Sequence, residues 1–231
     1  MELSQELKTN DIPILIPIKG ISKRCPDKNR DLLPFTIKLL KYIQCLKHCV
    51  VISDCVDLLL LAKKYNLKTH LEIRDDNQDE LMSCYNYIKE YDSKAFFLLP
   101  VTQPFRNRNL LKRCYLSYLE SIDEVDFITS FTETANRERF HLVVENDVYA
   151  FKYKNKTKMG EFCSSIRMID GAAYLIKSSF IEKIAASGNT NKAFWKGRFK
   201  CVENQAPFMD VDTVYDMENI ELLKFYLQDK L

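Results

Sequence analysis

The chain has 231 residues, 46% of them apolar, which suits one substantial α/β domain. Thirty-four basic side chains against thirty-two acidic ones leave a net charge of +2, so bulk charge calls for neither nucleic acid nor an anionic membrane. No apolar run approaches the ~20 residues of a membrane helix, and Met1 to Glu6 lack the basic start and apolar core of a signal peptide, so the expected compartment is the cytoplasm.

Ile14 to Ile18 is short, apolar and rich in β-branched residues, the pattern of a buried parallel strand. It runs into a loop, Lys19 to Asn29, that holds Gly20, Ser22 and the cations Lys19, Lys23, Arg24 and Lys28. Open α/β sheets bind ligands at loops that leave the carboxyl ends of strands, and cations beside exposed amides suit a polyphosphate. An ordinary basic surface loop reads equally well from composition. A helix is expected from Leu32 to Ile43 with Pro34 near its first turn, then a strand at Val50 to Ser53 ending at Asp54. A helix over Val56 to Tyr65, a strand over Leu67 to Ile73 and a polar loop from Arg74 to Asn77 follow. Next come a helix from Asp79 to about Tyr91 and the uninterrupted apolar run Ala95 to Leu99, the candidate central strand. That run breaks at Pro100 into a stiff loop, Val101 to Arg106, before a helix over Asn109 to Ser121 and a strand over Phe127 to Phe131. Strand and helix alternating every roughly 25–30 residues predict βαβ units: a mostly parallel central sheet flanked by helices, in a single domain.

Residues 132–168 are polar and loop-rich, with a hairpin expected between His141–Val144 and Val148–Tyr153 about Glu145-Asn146-Asp147. Such an interruption reads as an inserted arm suited to contacts between subunits. Strand character returns at Gly171 to Ile176, followed by a helix over Ser179 to Ser187, a strand near Lys200 to Val202 and a last helix from about Tyr215 to Asp229.

Eight cysteines are scattered, and only Cys45 and Cys49, with His48 between them, lie close. No second ligand pair follows at zinc-like spacing, so buried free thiols are expected rather than a metal site. Asp210 and Asp212 are the sharpest carboxylate pair, because an i, i+2 spacing in an extended segment puts both on one side. They could hold one Mg²⁺ together with substrate phosphates. Asp212 could instead cap the helix behind it, with help from Thr213.

Ile16-Pro17-Ile18-Lys19-Gly20-Ile21-Ser22-Lys23-Arg24-Cys25-Pro26-Asp27-Lys28-Asn29 resembles the opening motif of the acylneuraminate cytidylyltransferases, the CMP-sialic acid synthetase family. Four more stretches resemble that family's landmarks, in its order: Val51 to Asp54, Leu98 to Arg106, Asp170 to Tyr174 and Met209 to Thr213. The resemblance implies a nucleotidyltransferase (Rossmann-like) fold and a homodimer with an inserted dimerisation arm at about residues 132–168. It also implies CTP as donor, an acidic nine-carbon (nonulosonic) sugar as acceptor, pyrophosphate as the leaving group and a place in surface polysaccharide synthesis. Lys19, Gly20, Ser22, Lys28, Asn29, Arg74 and Thr102 would hold the nucleotide, with Lys19, Lys28 and Asp212 in catalytic roles. Gln103, Arg167, Asp170 and Tyr174 would face the sugar, and Asp210 and Asp212 would bind Mg²⁺ or another divalent cation.

The departures from the family pattern fall mainly on the acceptor side. Lys19 stands for an arginine, which keeps the charge and loses the bidentate fork. Pro100 stands for a glutamine, Gln103 for a serine and Asp170 for an asparagine. A carboxylate-binding arginine is missing, with Lys158 the nearest cation. These departures point to an unusual nonulosonic acid. The alternatives are a related nucleotidyltransferase for 3-deoxy-octulosonate or another sugar, and a degenerate homologue that only binds nucleotide or sugar.

Overall fold

The expected alternation builds a seven-stranded sheet in the computed structural model, which describes residues 2–75, 77–135, 142–145, 148–151 and 165–227. The first half runs α1 (Leu3–Thr9), β1 (Ile14–Ile18), α2 (Lys28–Tyr42), β2 (Cys49–Ser53), α3 (Val56–Lys64), β3 (Lys68–Leu71), α4 (Glu80–Ile88) and β4 (Ala95–Leu98). The second half runs α5 (Leu110–Glu120), β5 (Phe127–Ala135), β6 (Leu142–Glu145), β7 (Val148–Phe151), β8 (Ser165–Lys177), α6 (Ser178–Ala185), α7 (Thr190–Phe194), β9 (Phe199–Glu203) and α8 (Val214–Leu227). Strand order is β3-β2-β1-β4-β8-β5-β9. All neighbours pair in parallel except β8, which is antiparallel to both β4 and β5. The mostly parallel sheet read from the sequence is therefore present.

Helices cover both faces, which is why the central strands read as continuous apolar runs and not as alternating ones. Ile14, Ile16 and Ile18 point to one face, against Leu32, Leu33 and Ile37 of α2. Leu15 points to the other, with Leu81, Cys84 and Ile88 of α4 and Phe96 of β4. Each such side chain contributes roughly 1.5–3 kcal/mol on leaving water. From β1 the chain steps outward to β2 and β3, then returns to add β4 on the other side. The carboxyl ends of β1 and β4 thus form a topological switch point, where α/β sheets open a crevice.

Several boundaries differ from the sequence reading. α2 starts at Lys28 and encloses Pro34, because Asp27 adopts a left-handed conformation (φ 61°) that turns the chain into the helix earlier. β3 stops at Leu71, leaving Ile73 97% exposed. α1 and the five-residue α7 were not expected. β6 and β7 form their own antiparallel pair, with Glu145 opposite Val148. The expected turn at Asn146 and Asp147, together with His141, Lys158, Cys163 and most of the inserted arm, lies outside the described residues. Cys45 and Cys49 are buried thiols whose Sγ atoms donate to the Ile43 and Cys45 carbonyls at 3.3 and 3.1 Å. Burial pushes the Cys45 thiol up to about 11, which keeps it protonated. Among the described residues no helix is long and apolar enough to cross a membrane.

Candidate active site

A cleft of about 640 Å³ opens at the carboxyl ends of β1 and β4. The opening loop supplies one wall, with Lys19, Ser22, Lys23 and Arg24, and the first turn of α2 continues it with Lys28 and Asn29. Gly20 serves this wall indirectly. Its amide donates to Asp54 Oδ1 at 2.7 Å, and a Cβ there would lie 2.6 Å from Cys55 Cβ. The residue is glycine because the β2–α3 connection presses against the loop. Asn29 donates from Nδ2 to the Lys19 carbonyl at 2.7 Å and fixes the loop from within.

Asp210 and Asp212 stand across the cleft on the segment before α8. Lys28 is only 7% exposed, and its Nζ donates to the Val211 carbonyl at 2.8 Å and to Asp212 Oδ1 at 3.2 Å. Arg24 donates to the same Oδ1 at 2.8 Å. The Val211 amide donates to the Thr102 carbonyl at 2.9 Å, which ties the β4–α5 loop to the aspartate segment. Burial pushes the Asp210 carboxyl up, and the neighbouring Asp212 charge pushes it further. Capping of α8 falls to Thr213 and Asp216: the Asp216 carboxylate accepts from the Thr213 amide at 2.8 Å, and the Asp216 amide donates to Thr213 Oγ1 at 3.3 Å. Asp212 is therefore free of the capping role and turned toward the cations. Two carboxylates two residues apart on one side of the cleft suit a divalent cation, and Mg²⁺ completes such a pair with substrate phosphates. Among the described residues no group of three or more acidic, histidine or cysteine side chains could hold a metal unaided.

The far end of the cleft has different chemistry. Arg74 enters from the β3–α4 loop with its side chain 2% exposed; its nearest anion is Glu72 at 3.6 Å, and none of its three guanidinium nitrogens has a hydrogen-bond partner. A buried guanidinium left this way is arranged for a ligand's acceptor atoms. Glu72 is held by Gln78 at 2.8 Å and Ser83 at 2.9 Å. Glu80 and Leu81 open α4 on one side, while Tyr174 of β8, Phe194 of α7 and Trp195 form an aromatic wall. Tyr174 meets Phe194 and Trp195 edge to face, at 5.8 and 6.4 Å between ring centroids. Gly171, at φ 64°, makes room for the Tyr174 hydroxyl, which would lie 2.9 Å from an added Cβ.

Of the residues expected on the sugar side, Tyr174 lines the cleft while Gln103, Arg167 and Asp170 are not among its lining residues. Gln103 is a buried residue of the β4–α5 loop. Arg167 lies over the Phe131 ring at 5.4 Å. Asp170 is 3% exposed and accepts from Ser130 Oγ, from Thr132 Oγ1 at 2.7 Å and from the Ala172 amide at 3.0 Å. Its charge also offsets that of the buried Arg106, which donates to the Pro100 and Ala172 carbonyls and to Thr36. Glu80, Asn191, Phe194 and Trp195 also line the cleft and sit in no motif; a Phe-Trp pair with the chain's one tryptophan is the signal available for them.

The chain is 23% identical over 231 residues to a pseudaminic acid cytidylyltransferase of Campylobacter jejuni subsp. jejuni serotype O:23/36 (strain 81-176), covering 90% of this chain and 94% of that one. It is 24% identical over 236 residues, with the same coverage, to the pseudaminic acid cytidylyltransferase of C. jejuni subsp. jejuni serotype O:2 (strain ATCC 700819 / NCTC 11168). The chain is a relative of cytidylyltransferases. The family resemblance read from the five motifs is thereby borne out. No family model matches the chain. The fold of a CMP-2-keto-3-deoxy-manno-octonic acid synthetase complexed with CTP superposes with a TM-score of 0.67 at 12% identity, over 93% of this chain and 98% of that one. That likeness is one of fold: the two chains share a mixed α/β architecture over nearly their whole lengths.

Proposed function

We propose that this chain transfers CMP from CTP to the anomeric hydroxyl of a nonulosonic acid and releases pyrophosphate. One observation carries the reading most directly: four cations of the opening loop and α2 face an aspartate pair across a cleft at the sheet's switch point. A triphosphate needs cations on one side, and Asp210 and Asp212 would hold a divalent cation on the other. Such an ion supplies charge neutralisation at the phosphates. Lys19, Lys23 and Lys28 neutralise the phosphate oxygens and orient the α-phosphorus, so positioning and electrostatics lower the barrier. Arg24 and Lys28 hold Asp212 in place until the phosphates arrive. Thr102 keeps the β4–α5 loop in register with the aspartates, and Arg74 offers its unpartnered donors to the base or the acceptor.

The long connection between β5 and β8 serves as the dimerisation arm of a homodimer in this reading. We place the enzyme in the cytoplasm, where unpaired thiols persist. Pyrophosphate release from CTP with Mg²⁺, measured over pseudaminic, legionaminic, sialic and octulosonic acids, tests the function. Release with at least one nine-carbon acid is expected. CTP binding without release for any acid would leave a nucleotide-binding homologue, and release with the octulosonate alone would move the acceptor to eight carbons.

A further inference from the structure

The acceptor end of the cleft carries a carboxylate that nothing so far explains. Asp79 and Glu80 both line it at the start of α4. Asp79 is fully used: Oδ1 accepts from the Met82 amide at 2.8 Å as the helix cap, and Oδ2 accepts from the Thr190 hydroxyl, tying α4 to α7. Glu80 makes no hydrogen bond or ion pair with any described residue. Arg74 acts on it through space, yet Arg74's own close anion is Glu72. Burial pushes the Glu80 carboxyl up to about 7, against the opposing pull of Arg74 and Lys28. Glu80 lines the same cleft as Tyr174, Phe194 and Trp195, and among neighbouring charges it acts most strongly on Tyr174.

That wall is unusual for a surface. Trp195 is 46% exposed with Phe194 and Tyr174 packed edge to face around it, and Phe127 and Phe199 back it at 6.0 Å each. The cation at this end is Arg74 on the β3–α4 side, paired with Glu72 at 3.6 Å, and among the described residues no lysine or arginine of β8 or α7 lines the aromatic side. The partly exposed Tyr174 and Trp195 rings beside the half-buried Glu80 carboxylate are the chemistry of cation recognition, because ring quadrupoles and an anion without a hydrogen-bond partner attract the same ligand group.

Resting on the reading of this cleft as the acceptor site, we propose that Glu80 and the Tyr174–Phe194–Trp195 wall select an acceptor by a positively charged nitrogen substituent, an amine or an amidine, in addition to its carboxylate. The carboxylate half of the substrate is held elsewhere, and the cationic nitrogen sits between Glu80 and the rings. A neutral amide at the same position lacks the charge that Glu80 requires.

Trp195 is the chain's one tryptophan, so its fluorescence reports this site without turnover. The full-length protein is titrated with benzamidinium and with its neutral isostere benzamide. Benzamidinium is expected to perturb Trp195 with about tenfold or greater preference over benzamide. Glu80→Gln should collapse that preference and Glu80→Asp should retain part of it. Equal affinity for the two probes, no response to either, or a preference unchanged in Glu80→Gln overturns the inference. Pyrophosphate release from CTP with an acceptor pair that differs only in acetamido against acetamidino then separates the two claims. Turnover with no cationic preference removes this inference and leaves the cytidylyltransferase reading standing. A Glu80-dependent benzamidinium preference without turnover on either acceptor removes the cytidylyltransferase reading and leaves the cation site.

Discussion

Asp170 shows how one side chain can match a motif position and yet face the wrong way for the role the motif suggests. Its carboxylate is spent on Ser130, Thr132 and the Ala172 amide, and its charge balances Arg106. Asp170→Asn, which restores the asparagine of the family pattern, replaces acceptors by donors in a buried network and leaves Arg106 less compensated. We expect a loss of at least about 2 kcal/mol in urea denaturation, with acceptor KM changed less than twofold in the surviving fraction. A changed KM at unaltered stability would put Asp170 in contact with the sugar after all. Glu80 gives a second prediction, through pH. Its folded value of about 7 lies above its ordinary 4.5, so the native state binds the proton more tightly than the unfolded chain does. The stability from this group is complete below 4.5 and is lost as pH rises through about 7. Glu80→Gln should therefore melt higher than wild type at alkaline pH and converge with it in acid. A gap independent of pH would contradict the assigned environment. Neither behaviour was legible in the sequence, because both depend on which neighbours the fold brings within reach.

At the scale of elements, what could be read depended on length and continuity. β1, β2 and β4 were legible because burial on both faces leaves an unbroken apolar run. α7 was not, since five residues between Gly188 and Gly197 carry too little periodicity; its one signal is Asn189, whose side chain accepts from the Lys192 amide as the cap. The start of α2 was misread because a left-handed Asp27 is invisible in composition. Yet these two boundaries decide the site: α2 delivers Lys28 in its first turn, and α7 delivers Phe194. The Thr190–Asp79 bond locks α7 to α4. Thr190→Val should cost about 1 kcal/mol and raise acceptor KM severalfold while CTP KM holds, read from steady-state kinetics with each substrate varied. An equal rise for both substrates would show that α7 shapes the whole cleft and not its acceptor end.

For the whole molecule, the motifs made the cationic end of the cleft legible because they sit on loops whose geometry follows from the sheet. Lys19, Ser22, Lys28, Asn29, Arg74, Thr102, Asp210 and Asp212 do line one cleft. The other end of the cleft, which we propose takes the acceptor, was not legible, because it is assembled from α4, β8 and α7, which are far apart in sequence. The two ends differ in chemistry: lysines and Arg24 beside the aspartate pair at one, and Arg74, Glu80 and the aromatic wall at the other. Sedimentation of the full chain should give a dimer, and a monomer competent in turnover would remove the role given to the arm. The central claim, CMP transfer, is tested most directly by following CTP labelled at the α-phosphorus in the presence of Mg²⁺ and a nonulosonic acid. The label should appear in a phosphodiester joining CMP to the sugar's anomeric oxygen, with unlabelled pyrophosphate released. Label that remains in CTP, or that appears only in free CMP from the attack of water, would contradict it.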